Sequence, residues 1–218
     1  MKAKKMAKKK KLKVAFPHMG TISIAWAAAL RKIGLDAYVP PYTSKRTLSL
    51  GTKNSPEAIC LPYKLILGNF IEAIEGGADY VAMITSPGIC RLGEYGNNIK
   101  TTLQEMGYKA NYIELSLYDG FRGLYRFMKE LSGKNNPVQI IRAINICMRK
   151  IFVIDELDSV LSYYRAREIR QGDAEKNYKK ALHLIDSADK TSILKKARKK
   201  AIEIIKSTKI DPNREVLH

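Results

Sequence analysis

Residues 79–85 read DYVAMIT, a short apolar run that is followed by SPGICRLGEYG at 86–96. A run of this length with β-branched residues, closed by a Pro-Gly pair, is typical of a buried strand that ends in a turn. A helix is predicted next, from about Asn97 to Met106, and ANYIEL at 110–115 resumes the strand pattern. The stretch therefore predicts a β-α-β unit.

The residues before this stretch repeat the pattern. LKVAF at 12–16 stops at Pro17, a helix is predicted from Ser23 to Ile33, and DAYVP at 36–40 follows as the next strand. A further helix is predicted to begin at 55–57 and to run to about Ile74. Four strands that alternate with helices predict an α/β fold with a four-stranded parallel, Rossmann-like sheet.

The second half of the chain has a different character, because apolar residues there recur at three- and four-residue steps. Helices are predicted at 138–170, 173–187 and 190–207. The predicted organisation is a basic disordered tail at 1–11, an α/β domain at 12–118 and a helical extension at 119–218.

Composition narrows the class of protein. The chain has 218 residues, 45% of them apolar, which is enough to bury a core, and no run is long enough to predict a membrane span. No secretory signal is recognisable, so the cytoplasm is the expected location. Three cysteines without a CxxC pair predict no disulfide framework. A metal or redox role and the alternative of free or buried thiols both stay open.

The formal net charge of +18 raises the question of nucleic-acid binding. The charge is concentrated in the lysines between Lys2 and Lys13 and in a predicted helix around Lys195–Lys200. Such runs are typical of solvated tails and helix faces, and no basic stretch alternates with aromatic residues. We therefore expect no specific nucleic-acid partner. A basic surface also suits an acidic protein or a phosphate-bearing ligand such as coenzyme A.

Ligands of parallel sheets gather at the carboxyl ends of the strands, and three loops there carry unusual residues. The first, FPHMG at 16–20, contains His18, which could donate or accept a hydrogen bond at a binding site. A role in stabilising the turn is at least as good an interpretation. In the second, SPEAICLPYK, Cys60 lies near a predicted helix start. In the third, Cys90 is next to Arg91. Helix amides and a cation both favour a thiolate, so the two cysteines predict one reactive crevice if their loops meet.

A family resemblance becomes specific at these loops. The strings PHMG, PPYTSKRTLSLGTKNSPEAICLPYKLILGNFIEAIEGGADYV and PGICRLGEYG resemble the amino-terminal domain of the acyl-CoA dehydratase activase-related proteins, which are relatives of the 2-hydroxyglutaryl-CoA dehydratase subunits. The resemblance covers roughly residues 12–115 and is weaker in the helical part.

This resemblance implies a [4Fe-4S] cluster or a related double-cubane cluster, with Cys60 and Cys90 as ligands. It also implies an ATP-dependent activase that supplies low-potential electrons, and a coenzyme A thioester as a candidate ligand. Arg91, Lys64 and Tyr95 are candidates to tune the cluster or to bind an anion, with an ion-pair or packing role as an equal alternative.

The similarity ends where the relatives continue into a second domain, which would supply further ligands. Cys147 is a candidate replacement, although a buried structural thiol is the favoured interpretation. The other sources are a homodimer or a partner chain equivalent to the second domain. Whether the chain is an enzyme without a partner is left open.

Two other function classes remain as alternatives. The first is a non-enzymatic scaffold or binding module that recruits a partner through basic surfaces. The weaker one is a nucleotide-binding protein, because the chain has neither GxGxxG after the first strand nor a GxxxxGK[ST] loop.

Overall fold

The computed structural model describes residues 12–85, 90–116, 118–133 and 136–214. The predicted basic tail at 1–11 and the Pro-Gly turn at 86–89 lie outside these residues. The described part contains a four-stranded, all-parallel sheet in the order β2-β1-β3-β4. The strands are β1 (Lys13–Ala15), β2 (Asp36–Tyr38), β3 (Tyr80–Thr85) and β4 (Asn111–Ser116). The predicted α/β class and parallel sheet are confirmed.

The strand order creates a crevice at one edge of the sheet. Val14 of β1 is in register with Ala37 of β2 on one side and with Tyr80 of β3 on the other. The chain therefore adds β2 on one side of β1 and then crosses over to add β3 and β4 on the other side. In parallel sheets, ligands bind beyond the carboxyl ends of the strands at such a reversal, here between β1 and β3.

Eight α-helices connect and extend the described strands. They are α1 (Ile22–Ile33), α2 (Lys45–Lys53), α3 (Leu61–Glu75), α4 (Tyr95–Glu105), α5 (Gly120–Ser132), α6 (Pro137–Arg167), α7 (Asp173–Ser187) and α8 (Thr191–Lys206). A short 3-10 helix, Arg91–Glu94, precedes α4. The predicted helical region at the carboxyl end of the chain is confirmed.

Helices α3 and α4 pack on the same face of the sheet. One apolar cluster joins Val81 and Met83 of β3 to Phe70 of α3 and Ile99 of α4, and all four side chains are buried. Because α3 leads into β3, its first residues lie at the carboxyl edge of the sheet. The start of α3 and the loop after β3 are therefore brought to the same edge.

The region before α3 differs from its prediction. The predicted helix start at 55–57 is wrong, because these residues form a turn and α3 begins only at Leu61. Helix α2 was not predicted. Ser44 begins it with a reciprocal capping box to Thr47, a local signal that satisfies two amide groups of the first turn.

Close packing of α2 on α3 depends on two glycines. A Cβ atom at Gly51 of α2 would overlap the carbonyl oxygen of Lys64, and one at Gly68 of α3 would overlap the carbonyl oxygen of Thr47. The hydroxyl of Thr47 donates a 2.8 Å hydrogen bond to the buried carboxylate of Glu72 in the same interface. The backbones of α2 and the first turns of α3 are therefore in direct contact.

The chain consists of two compact units. One contains the described residues up to His18 together with Leu30–Ile140, and the other contains Met19–Ala29 with the described residues from Ile141 onward. The core of the second unit is built from α6, α7, α8 and the first residues of α1, with Leu157, Tyr178 and Ile205 among its buried side chains. In the ranges described, no helix combines the length and the apolar character that crossing a membrane requires.

Glu168 caps α7 in the second unit. Its buried carboxylate accepts 2.7 Å hydrogen bonds from the backbone N–H groups of Gly172 and Ala174. The bond from Gly172, followed by that from Ala174, lowers the pKa of Glu168 and outweighs the opposing effect of burial.

We expect Glu168→Gln to destabilise the protein at neutral pH, by about 2 kcal/mol, because an amide replaces a charged acceptor of two hydrogen bonds. A carboxyl whose pKa is lower in the folded state stabilises the fold above its unfolded pKa of about 4.3 and loses that effect as the pH falls further. Denaturant unfolding of both proteins across the acid range measures the difference. A difference between wild type and variant that stays constant down to the lowest pH would contradict the assignment.

Candidate functional site

Cys60 lies at the amino-terminal end of α3. It occupies the capping position before Leu61, its backbone is extended with φ −64° and ψ 150°, and its side chain makes no capping hydrogen bond. Pro62 suits the first turn because that turn has no partner for the N–H group that proline lacks. The Cys60 side chain is exposed. Its sulfur is thus free to accept hydrogen bonds at the positive end of a helix.

Cys90 occupies the equivalent position in the next connection. It precedes the 3-10 helix Arg91–Glu94, with extended backbone angles of φ −74° and ψ 129° and no side-chain capping bond. Its carbonyl accepts a 3.2 Å hydrogen bond from the N–H of Gly93. The Cys90 side chain is also exposed. Both predicted ligands are therefore exposed residues that precede helices at the carboxyl edge of the sheet.

The hydroxyl of Tyr95 links the two cysteine loops. Tyr95 is the first residue of α4, its side chain is buried, and its hydroxyl forms a short hydrogen bond with the sulfur of Cys60. Burial first, and then the Cys60 contact, raise the pKa of Tyr95 to about 12, with a smaller contribution from the charge of Cys90. Tyr95 therefore stays protonated, and its hydroxyl donates the hydrogen bond to the sulfur of Cys60. Because Tyr95 begins the helix that follows Cys90, its hydrogen bond with Cys60 brings the two cysteine loops together.

The surroundings of Cys60 favour its thiolate. The hydrogen bond from Tyr95 is the largest of the causes that lower the pKa of Cys60, followed by backbone N–H groups at Tyr63 and at Cys60 itself, and then by the charge of Arg91. Partial burial acts in the opposite direction. A thiolate is the form that binds metals and attacks electrophiles, so Cys60 is prepared for either chemistry.

The ring of Tyr63 fixes the position of Tyr95. The two rings meet edge to face at 88°, with their centroids 5.1 Å apart. Tyr63 is itself buried, and its hydroxyl lies 3.3 Å from that of Thr102 on α4. The hydrogen-bond donor to Cys60 is thus held by packing between α3 and α4. Sequence reasoning did not identify Tyr63 as part of the site, although CLPYK places it within one turn of Cys60.

The two predicted cationic residues differ in their contacts. Arg91 is exposed and its charge reaches Cys60. The ammonium group of Lys64 instead donates a 3.0 Å hydrogen bond to the backbone carbonyl of Glu57. Lys64 therefore ties the turn before Cys60 to the first turn of α3. Participation of either residue in anion binding stays a prediction.

Cys147 lies in the second unit. Its side chain is buried in α6, where only 2% of it is exposed. Burial raises the pKa of Cys147 to about 12, and the nearby charge of Lys150 opposes this only in part. An enclosed, protonated thiol is the structural role that the sequence favoured over a metal ligand for this residue. Its environment does not resemble that of Cys60.

His18 connects loops at the same edge of the sheet. Its backbone N–H donates to Oδ1 of Asn69 at 3.1 Å, and its Nε2 donates to the carbonyl of Pro40 at 2.5 Å. Its ring also stacks on that of Tyr42. Asn69 is buried, and its Nδ2 has no hydrogen-bond partner among the residues that the structure describes. These contacts match the turn-stabilising interpretation of His18, and the signal for Asn69 was a single amide within the apolar run LILGNFIEAI.

A complete metal site would need more ligands than this edge provides. Throughout the described ranges, no three His, Cys, Asp or Glu side chains gather into a group that could hold a metal ion. Cys60 and Cys90 are two donors of suitable chemistry, so the predicted cluster would require donors from a second chain or from residues outside those ranges. Comparison of the chain with protein-family models, curated proteins and solved structures finds no match to any of them.

Proposed function

We propose that this chain is the cluster-carrying component of a 2-hydroxyacyl-CoA dehydratase-like or double-cubane-type reductase system. In this proposal Cys60 and Cys90 bind a [4Fe-4S] or related cluster, and an ATP-dependent activase supplies the electron. The observation that carries the proposal is that two exposed cysteines each precede a helix at the carboxyl edge of the sheet, and that Tyr95, in the helix after Cys90, forms a hydrogen bond with the sulfur of Cys60. The family resemblance of the loops around them points to the same chemistry.

Cys60 and Cys90 would supply half of the thiolate ligands that an iron–sulfur cluster needs. Iron–sulfur clusters of this type are held by about four thiolates, and the described edge offers two. The remaining ligands would come from a second copy or from a partner chain that replaces the second domain. When bound, the cluster supplies one-electron chemistry at low potential. A cytoplasmic location, where thiols stay reduced, is part of the proposal.

The residues of the chain itself would have distinct tasks. Cys60 and Cys90 would bind as thiolates, and Tyr95 would donate a hydrogen bond to the Cys60 sulfur, a contact of the kind that tunes reduction potential. Arg91 would offset the negative charge of the site. A coenzyme A thioester is the candidate substrate class that the family resemblance implies, and the exposed Arg91 is a cation that its phosphates could contact.

Iron analysis under anaerobic conditions tests the proposal. We expect wild-type protein, purified or reconstituted without oxygen, to contain iron and acid-labile sulfide, and we expect Cys60→Ser and Cys90→Ser each to lose most of both. Cys147→Ala is the matched control and should retain the wild-type content, because Cys147 is enclosed in the second unit. Negligible iron in all four proteins, also with a candidate partner chain present, would contradict the proposal.

A second candidate function, a non-enzymatic binding module for an acidic partner, is favoured by a different surface. Lys195, Lys196, Lys199 and Lys200 are all exposed along α8. Clustered exposed lysines bind acidic surfaces in a salt-dependent manner. Replacement of two of these lysines by glutamate should weaken binding of the acidic partner and leave iron binding unchanged. This result would separate the two functions experimentally.

A further inference from the structure

Helix α6 has a stripe of apolar side chains on its exposed side. Within the second unit, Ile141 is 52% exposed, Met148 40%, Phe152 66% and Tyr163 49%. Their spacings are multiples of three to four residues, so the four side chains lie along one side of the helix. Large apolar residues that are exposed singly are ordinary, but an aligned set of this kind marks an interaction surface.

This stripe is separate from the face that α6 uses in its own core. Val153, Ile154, Leu157 and Leu161 are buried in the cluster formed with α7 and α8. The helix is therefore apolar on two faces, and only one of them is covered within the unit. Large apolar side chains aligned on an uncovered face call for an additional partner.

The charges beside the stripe identify that partner. The half of α6 before Phe152 exposes Arg142 and Arg149, whereas the half after it exposes Asp155. Asp158 and Arg165 in that half are bonded to Tyr178 and Glu175 of the same chain. Two copies of the helix placed side by side in parallel would bring like charges together. An antiparallel arrangement brings the basic half of one copy to the acidic half of the other, so the surface is complementary to itself.

We propose that α6 is a dimer interface, in which a second copy of this chain packs antiparallel on the stripe with Phe152 close to the two-fold axis. In this arrangement Arg149 is level with Asp155 of the partner copy, and Ile141 is level with Tyr163. Asn145, an exposed polar residue within the stripe, is level with Ser159. A polar residue at such a position fixes the register of paired helices.

The inference stands on α6 alone and does not depend on iron binding, so it is tested on metal-free protein. We expect sedimentation velocity over a concentration series to show a reversible monomer–dimer equilibrium, because one helix face is a small interface. Phe152→Glu should raise the dimer dissociation constant at least tenfold, since each dimer would bury two of these charges. Met148→Glu should act in the same direction. Far-UV circular dichroism verifies that both variants fold.

Ile169→Glu is the matched control. Ile169 is 67% exposed but follows the end of α6, so its replacement should leave the dissociation constant unchanged. Orientation is tested by Arg149→Glu, which should weaken the dimer, and by its combination with Asp155→Lys, which should recover much of the loss. A wild-type protein that stays monomeric at every concentration would overturn the inference and leave the face to a different protein. A dimer that is indifferent to Phe152→Glu would overturn it as well.

Discussion

Gly51→Ala is expected to destabilise the protein by about 3 kcal/mol, a large loss for the addition of one methyl group. In an ordinary helix the same change would stabilise the protein by roughly 0.5–1 kcal/mol, because alanine has the higher helix propensity. At Gly51 the new Cβ atom would overlap the carbonyl oxygen of Lys64, a backbone atom that cannot rotate away. Helices α2 and α3 would have to separate. Equilibrium unfolding in urea measures the loss.

Ser49→Ala provides the control for this substitution. Ser49 is exposed on the same helix, so its change to alanine should alter the free energy of unfolding by less than about 0.5 kcal/mol. Because Lys64 lies in the first turn of α3, Gly51→Ala should also disturb the turn that carries Cys60. Equal stability of the Gly51 and Ser49 variants would show that the backbones of α2 and α3 are not in direct contact at Gly51.

Tyr95→Phe is expected to slow the alkylation of Cys60 near neutral pH by about tenfold, the effect of removing a hydrogen bond to a charged sulfur. The hydroxyl of Tyr95 is the main cause of the lowered pKa of Cys60, so its loss raises that pKa and reduces the thiolate fraction. The pH–rate profile for iodoacetamide should move to higher pH. A Cys90→Ser background isolates the signal of Cys60, because Cys147 is buried.

Tyr63→Phe separates the hydroxyl effect from a packing effect. Tyr63 is also buried and contacts the ring of Tyr95, but its own hydroxyl is directed to Thr102 and only its backbone N–H acts on Cys60. Its replacement by phenylalanine should leave the pH–rate profile in place. An unchanged profile for Tyr95→Phe as well would mean that Tyr95 does not set the acidity of the thiol.

The sequence predicted the sheet well because its strands carry local signals. DYVAMIT and ANYIEL are bounded by turn residues, and their parallel pairing follows from the helices between them. Helix α2 escaped prediction because TLSLGTK has few strong helix formers. Its stability comes from the capping box at Ser44 and from glycine-mediated contact with α3, and the second of these is visible only in three dimensions.

The start of α3 shows how local signals compete. Ser55 and Pro56 are typical of a helix start, but a second proline at position 62 offers another. The structure uses the later one, and Cys60 rather than Ser55 precedes the helix. Because the helix begins at Leu61, Cys60 lies directly beside the free amide groups of its first turn.

The site was predictable in its parts but not in its connections. Cys60 and Cys90 were identified from loops that follow the strand pattern, and Tyr95 from its place in CRLGEY. The hydrogen bond from Tyr95 to Cys60 joins residues 35 positions apart, a pairing that no local pattern encodes. The exposure of two cysteines and the enclosure of Cys147 also depend on tertiary packing.

The edge-to-face contact between Tyr63 and Tyr95 couples the acidity of a surface thiol to the integrity of the protein interior. The hydroxyl of Tyr95 cannot move away from Cys60 unless the Tyr95 ring leaves its packed position against Tyr63 and the neighbouring apolar side chains. A loosened interior would thus be felt at the surface as a less nucleophilic sulfur. The reactivity of Cys60 therefore reports on the packing between α3 and α4: it is high when the two helices are in contact and falls to that of an unperturbed thiol when they separate.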